Sequence, residues 1–382
     1  MANTTLTLPI LDLALADDPL QKPHLLVQLH DALFNIGFLY IKNHGVPDYI
    51  ITNLVSMLPK LFDMPLKEKA ALSKLNSPHF LGYSGYAEEV TLGQKDLREQ
   101  FDFATELPVI WNPDGHTSQD CSELEAVRNK DFSRLYWRLR GPNQWPPESY
   151  VPGFRKALTE YHDALQELSY RFVHLIEEAF GIPTRTFDAF FNRDDTQFHV
   201  PPQHRIKLVK YPPCSRTDGI AHAQGVGAHK DSSGWLTFLL QVEQQEGLEV
   251  LSGTGKWIKA PPIPGTFVVN FGNAMEAATE GAVKATVHRV KARTSESSPR
   301  YSIPFFQGLP LDLTVSQIRS YIPEHVRSLR QSALNAESEK ISSFLDPRWD
   351  TLGESQLRKW IRSHEEVGRK FYGDEVVDFY LN

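Results

Sequence analysis

Between residues 204 and 306 the chain passes through short runs rich in β-branched and aromatic residues, separated by glycine and proline turns. They are Ile206–Tyr211, Trp235–Val242, Leu248–Leu251, Thr266–Phe271, Lys284–Lys291 and Arg300–Phe306. Their length and composition mark strands rather than buried helix segments. Roughly six to eight strands in about 100 residues predict an antiparallel sandwich closed as a jelly roll, a double-stranded β-helix. Everything else in the chain must then pack around that block.

The flanking segments read differently. Leu25 to Ile36 repeats apolar residues at helical spacing, Gly37 to Ile41 reads as a buried strand, and Asp48 to Phe62 reads as a second helix. Residues 76–120 are expected to be irregular. From Phe154 onward Leu158, Tyr161, Leu165, Leu168, Phe172 and Leu175 form one apolar stripe, which predicts a long helix buried against a sheet and ending at Gly181-Ile182-Pro183. The tail returns to helix, with an amphipathic stretch around Leu357–Ile361. The expected fold is mainly β: a jelly-roll core (200–310) with flanking helices. An N-terminal mixed α/β region (1–120), a long support helix (150–185) and a C-terminal helical extension (311–382) complete one integrated catalytic domain.

Composition excludes several function classes. The net charge is -7 and no lysine/arginine block occurs, so the electrostatic footprint of a nucleic-acid binder is missing. No apolar run approaches the roughly 18 residues of a membrane span, and the first residues lack a basic leader. Cys121 and Cys214 are far apart and form no Cys-x-x-Cys pair, as expected of thiols in a reducing compartment. A cytoplasmic protein acting on small molecules is expected.

The chemistry concentrates in one motif set. His229-Lys230-Asp231 opens the second strand block, where residues two apart are expected to share a face. His288 lies on a later run. Two imidazoles and a carboxylate are the facial triad of non-haem Fe(II) oxygenases, whose open positions accommodate a bidentate co-substrate and O2. With 14 histidines in the chain, a His-x-Asp tripeptide alone carries little weight. Arg300-Tyr301-Ser302 changes that: a guanidinium and a hydroxyl on one strand face, followed by apolar Ile303–Phe306, make a buried receptor for a carboxylate. The distal carboxylate of a metal-chelating keto acid suits it.

These residues stand in an ordered series: Lys210-Tyr211-Pro212-Pro213-Cys214, Gly227–Asp231, Gly247–Val250, Trp257, Pro264–Gly272, His288-Arg289-Val290 and Arg300-Tyr301-Ser302, with Gly37–Val46 near the start. In this the chain resembles the isopenicillin N synthase-like family of 2-oxoglutarate/Fe(II)-dependent dioxygenases. The resemblance implies iron ligation by His229, Asp231 and His288, and 2-oxoglutarate binding by Arg300 and Ser302 with help from Tyr211. It implies O2 as the second co-substrate and oxidation of a small, secondary-metabolite-type molecule by hydroxylation, desaturation or ring formation. The chain departs from the family pattern at Asn273, Thr279-Glu280-Gly281 and Ala285, none of them a metal-ligand position, and at Val209, where many plant relatives carry an Asn that touches the co-substrate, so that contact is not carried over.

His199, His204 and His222 crowd the approach to the motif; His222 sits in a glycine-flanked loop and is a weaker ligand candidate than His229. The expected substrate pocket draws on Tyr83, Tyr86, Glu89, Thr91, Phe101, Lys207 and Phe306. The Glu88–Thr91 loop resembles that of ethylene-forming enzymes, where it contacts an amino-acid substrate, although simple capping of the barrel mouth is an equal reading. Two rivals stay open at this level. One is an isopenicillin N synthase-like oxidase without 2-oxoglutarate, or an ethylene-forming-type enzyme, and the other is a non-catalytic small-molecule-binding jelly roll.

Overall fold

The computed structural model describes residues 7–91, 93–115, 130–191, 200–213, 224–232, 234–292, 298–330 and 351–382. Cys121, His199, Cys214 and His222 lie outside them. The strands, in chain order, are β1 (Ile10–Asp12), β2 (Phe38–Lys42), β3 (Gly82–Ser84), β4 (Val90–Thr91), β5 (Gln94–Lys95), β6 (Glu99–Ala104) and β7 (Arg205–Tyr211). They continue with β8 (Gln224–His229), β9 (Leu236–Gln241), β10 (Leu248–Leu251), β11 (Trp257–Lys259), β12 (Thr266–Phe271), β13 (His288–Lys291) and β14 (Arg300–Phe306).

Two sheets face one another. The larger has the order β1-β2-β12-β9-β14-β7-β6-β3 and the smaller β11-β10-β13-β8. From β7 to β14 the chain shuttles between them, which is the jelly-roll winding: the core is a double-stranded β-helix with helices on its outside.

Strand parity decides what each face does. On the larger sheet Leu39, Ile41, Leu208, Phe238, Phe267, Val269, Ile303 and Phe305 point outward and are fully buried in one core with the helices. The helix Phe154–Ala179 supplies Leu158, Tyr161, Leu165, Leu168 and Phe172 to that core. It stops where the amides of Gly181 and Ile182 bond back to Glu178 and Glu177, a cap that needs the left-handed Gly181 (φ 68°). The alternate residues Phe38, Tyr40, Val209, Tyr211 and Val268 point inward and meet Val226, Leu248, Val250 and Val290 of the smaller sheet. Apolar packing thus closes one end of the sandwich and leaves the other end to polar side chains.

Three expectations need correction. The stretch after residue 76 is not irregular throughout, because β3 and β6 extend the larger sheet, β6 pairing with β7 from Glu99↔Lys210 to Ala104↔Arg205. The strand escaped notice because its inward residues, Gln100 and Asp102, are polar and buried. β8 (Gln-Gly-Val-Gly-Ala-His) was hidden by its glycines, and the run from Lys284 becomes a strand only at His288. No helix among the described residues is long and apolar enough to cross a membrane.

Phe172 is fully buried and meets the Phe238 ring edge-on at 5.8 Å. Phe172→Ala should cost about 3–5 kcal/mol, read as a lowered urea midpoint without change in the iron-site spectrum.

Candidate active site

β13 pairs antiparallel with β8 so that His288 sits directly across from His229, with ring centroids 4.3 Å apart. Asp231 lies two residues beyond the end of β8, so the expectation that it shares a strand face with His229 is corrected. The chain turns there, and the Asn273 amide donates to the Asp231 carbonyl at 2.8 Å. The carboxylate is thereby swung toward the two rings. His229 Nε2 and His288 Nε2 stand 3.8 and 3.7 Å from Asp231 Oδ1. Among the described residues this is the one group of three or more His, Cys, Asp or Glu side chains gathered closely enough for a metal ion.

Each donor atom is prepared by the bond made on its other side. His229 Nδ1 lies 2.8 Å from the Gly227 carbonyl and His288 Nδ1 3.0 Å from that of Thr286. A carbonyl only accepts, so both Nδ1 atoms carry the proton and both Nε2 lone pairs point inward. Asp231 Oδ2 accepts from Thr237 Oγ1 (2.7 Å) and Asn270 Nδ2 (2.6 Å), leaving Oδ1 to the centre. Burial, reinforced by His288, pushes His229 down to about 3, so the ring is neutral and able to ligate at physiological pH. Burial would raise Asp231, but the two imidazoles and its two donors outweigh it and keep it ionised. Two neutral nitrogens and one carboxylate, with no fourth protein ligand among the described residues, fit an octahedral ferrous ion with open positions.

Deeper in the barrel Arg300 pairs with Tyr211 across β14 and β7, its guanidinium 4.9 Å from the Tyr211 ring. Its Nε donates to the Gln245 carbonyl (3.2 Å) and its Nη2 to Gln241 Oε1 (3.0 Å), both uncharged acceptors. Arg300 and Ser302 are almost wholly buried, yet both line a cavity of about 560 Å³ that also contains the triad.

Of the expected pocket residues, Glu89, Thr91, Lys207 and Phe306 line this cavity. Tyr83, Tyr86 and Phe101 do not. Phe101 has the opposite strand parity and is buried between Phe62 and Phe103. Tyr83 packs on Phe101 and donates to Glu99 Oε2 at 2.7 Å, and Tyr86 lines a separate outer groove. His204 also lies away from the metal centre: its Nδ1 accepts from the Gly308 amide (3.0 Å) and its Nε2 meets Tyr170 Oη (2.8 Å).

The reading from sequence missed Thr237, Asn270 and Gln241; their alternation along β9 and β12 toward the inner face is the signal that could have found them. The helix expected around Leu357–Ile361 is present as Leu352–Ser363, but its place at the cavity mouth, with Ser355, Lys359 and Arg362 on the lining, was not foreseen. Glu89 ties the mouth together, accepting from Lys74 (2.9 Å), Arg98 (2.7 Å) and Gln100 (2.7 Å) and meeting His364 Nε2 at 2.8 Å.

Residues 202–308 match the family described as the 2OG-Fe(II) oxygenase superfamily, and residues 8–148 match the non-haem dioxygenase in morphine synthesis N-terminal region. The chain is 39% identical to the 2-oxoglutarate-dependent dioxygenase frbJ of Dothideomycetidae sp. (strain 11243), over 96% of this chain and 92% of that protein. It belongs to the 2-oxoglutarate/Fe(II) oxygenase family. The oxygenase is also 30% identical to a homoarginine-6-hydroxylase (2-ODD-C23) of Glycine max, over 84% of its own length and 91% of the relative's. The fold is shared with full-length Neurospora crassa T7H solved with alpha-KG: TM-score 0.66, 21% identity, 89% of this chain and 98% of the other. The protein is therefore an oxidoreductase that uses Fe(II) and 2-oxoglutarate with O2, which sets aside a 2-oxoglutarate-independent oxidase and a binding-only jelly roll.

Two outcomes are expected. Asn270→Ala removes one of the two donors that orient Asp231 and should weaken Fe(II) binding about 10–100-fold in anaerobic titration, with unchanged circular dichroism. Burial pushes His204 from 6.5 down to about 3. The unfolded chain binds that proton below about pH 6.5 while the folded ring refuses it, so the stability of the metal-free protein falls as pH drops through this window. Urea midpoints measured from pH 7 to 5 should decline, and less steeply in His204→Gln.

Proposed function

We propose that His229, Asp231 and His288 hold the ferrous ion, that Arg300, Ser302 and Tyr211 receive the distal carboxylate of 2-oxoglutarate, and that a small organic substrate is oxidised in the space between them and the mouth. The observation that carries this reading is the convergence of three donor atoms whose other bonding positions are already committed. When bound, the iron supplies the positions at which O2 and the keto acid react, so that one substrate C–H is oxidised as 2-oxoglutarate becomes succinate and CO2. The chain's own residues bind, orient and exclude water. No acid or base side chain is required.

Arg300 suits the co-substrate because its planar fork is pre-oriented by Gln241 and Gln245 and stacked on Tyr211. Ser302, two residues on, adds a hydroxyl from the same strand face. The apolar residues Val209, Leu239, Leu248 and Val290 around them keep the pocket dry, which strengthens the charged contacts.

The relatives support a substrate of secondary-metabolite or amino-acid type. Besides the homoarginine hydroxylase, the chain is 31% identical to the clavatol oxidase claD of Penicillium crustosum, over 86% of this chain and 97% of that one. Whether hydroxylation, desaturation or ring closure follows depends on which C–H is presented, to within about 1 Å.

Anaerobic addition of Fe(II) and then 2-oxoglutarate should raise the weak visible band of the chelate. His229→Ala should abolish it. Arg300→Ala should weaken 2-oxoglutarate about 10–100-fold, the loss of one or two charge-assisted bonds; unchanged affinity would remove Arg300 from the co-substrate site.

A further inference from the structure

The cavity that contains the triad is walled at its mouth by one face of the helix Leu352–Ser363. Ser355, Lys359, Arg362 and Ser363 recur at the spacing of a single helical stripe and all line the cavity, while Leu357 and Ile361 are buried in the core behind. Most other charges lining this space are already matched. Lys230 pairs with Glu276 at 2.8 Å. Arg98 and Lys207, with Lys74 behind them, face the carboxylates of Glu89, Asp96 and Asp102. Asp231 and Arg300 complement a ferrous ion carrying a dianionic keto acid, so that assembly is neutral as a unit.

Lys359 and Arg362 stand exposed on this face, beside the buried Arg358 that also lines the cavity. Neither forms an ion pair among the described residues, and both keep accessible surface on the cavity side. The Lys359 ammonium stands 5.5 Å from the Trp360 ring centroid, and Lys207 approaches the same ring at 5.5 Å. With Lys74 at 5.7 Å and the Arg205 guanidinium at 4.5 Å, four cationic groups stand around this one indole. Partial desolvation by the cavity wall, with Lys207 adding to it, lowers Lys359 to about 8 even though Asp231, Glu89 and Asp102 pull it upward. In a chain whose overall charge is -7, a cationic wall confined to one turn of helix concentrates anions where they are needed.

We propose that the substrate carries an anionic head group, a carboxylate or a phosphate, and that Lys359 and Arg362 receive it at the mouth while the remainder reaches toward the iron. This rests on the reading of the cavity as the active site and adds the substrate's charge class and the residues that select it. The two side chains, three apart on the helix, can engage one head group together. Leu239, Pro304 and Phe306 line the same cavity and suit the apolar body of such a molecule.

The test uses the full chain loaded anaerobically with Fe(II) and saturating 2-oxoglutarate, so that the Arg300 site is filled. Hexanoate, hexyl phosphate and hexanamide are titrated by calorimetry, and the chelate band is followed in parallel. At least one of the two anions should bind about tenfold or more tightly than the amide, and the better one identifies the head group. Lys359→Gln and Arg362→Gln should each weaken the anion about fivefold, the double variant should bring it to the level of the amide, and Lys359→Arg should retain it. The chelate band should persist in all of them. The proposal is overturned if the amide binds as well as the anions, or if the anion's advantage survives the double variant. Loss of the chelate band on Lys359→Gln would also overturn it, since Lys359 would then serve the co-substrate. Absence of the band in the unmodified protein is a different failure, that of the iron-site reading.

Discussion

The register between β13 and β8 is the constraint on which the site depends. It sets His288 opposite His229, and the inner faces of the two sheets then supply the rest of the centre by strand parity alone. A slip of one residue would carry His288 to the opposite face of the smaller sheet, away from His229 and Asp231. The buried apolar set Val226, Leu248, Val250 and Val290, which can occupy the interior in one register only, guards against that slip. The same residues that hold the sandwich shut therefore hold the imidazoles together.

A second organising element is ionic. Glu89, Asp96 and Asp102 are gathered with Lys74, Arg98 and Lys207 in a water-poor region, where each charge is tolerated only because the others are present. This cluster joins the β4–β5 hairpin, strands β6 and β7 and the C-terminal helices, the last through His364. It explains how a helix some 50 residues beyond the last jelly-roll strand becomes part of the same cavity. The mouth is thus built from three separate parts of the chain, while the metal centre comes from one.

Much of this arrangement was legible in the residues. The runs from Arg205 to Phe306 are apolar on both faces because both faces are buried, and the stripe on Phe154–Ala179 has the helical period. The convergence of His229, Asp231 and His288 could be anticipated because Arg300 and Ser302 follow at fixed distance on one face. What failed did so for physical reasons. β6 carries polar residues inward, against the usual pattern, because they serve the ionic cluster. Tyr83 and Phe101 were misassigned since nothing local states which parity faces the cavity. Lys359 and Arg362 were invisible because their partner space is created only when the tail folds back.

The two imidazoles are anchored by main-chain carbonyls, whereas the carboxylate is anchored by the side chains of Thr237 and Asn270. Point mutation cannot delete a peptide oxygen. The histidine half of the centre is consequently buffered against genetic drift in its surroundings, and the aspartate half is where neighbouring substitutions could retune the metal while the coordinating trio itself stays intact.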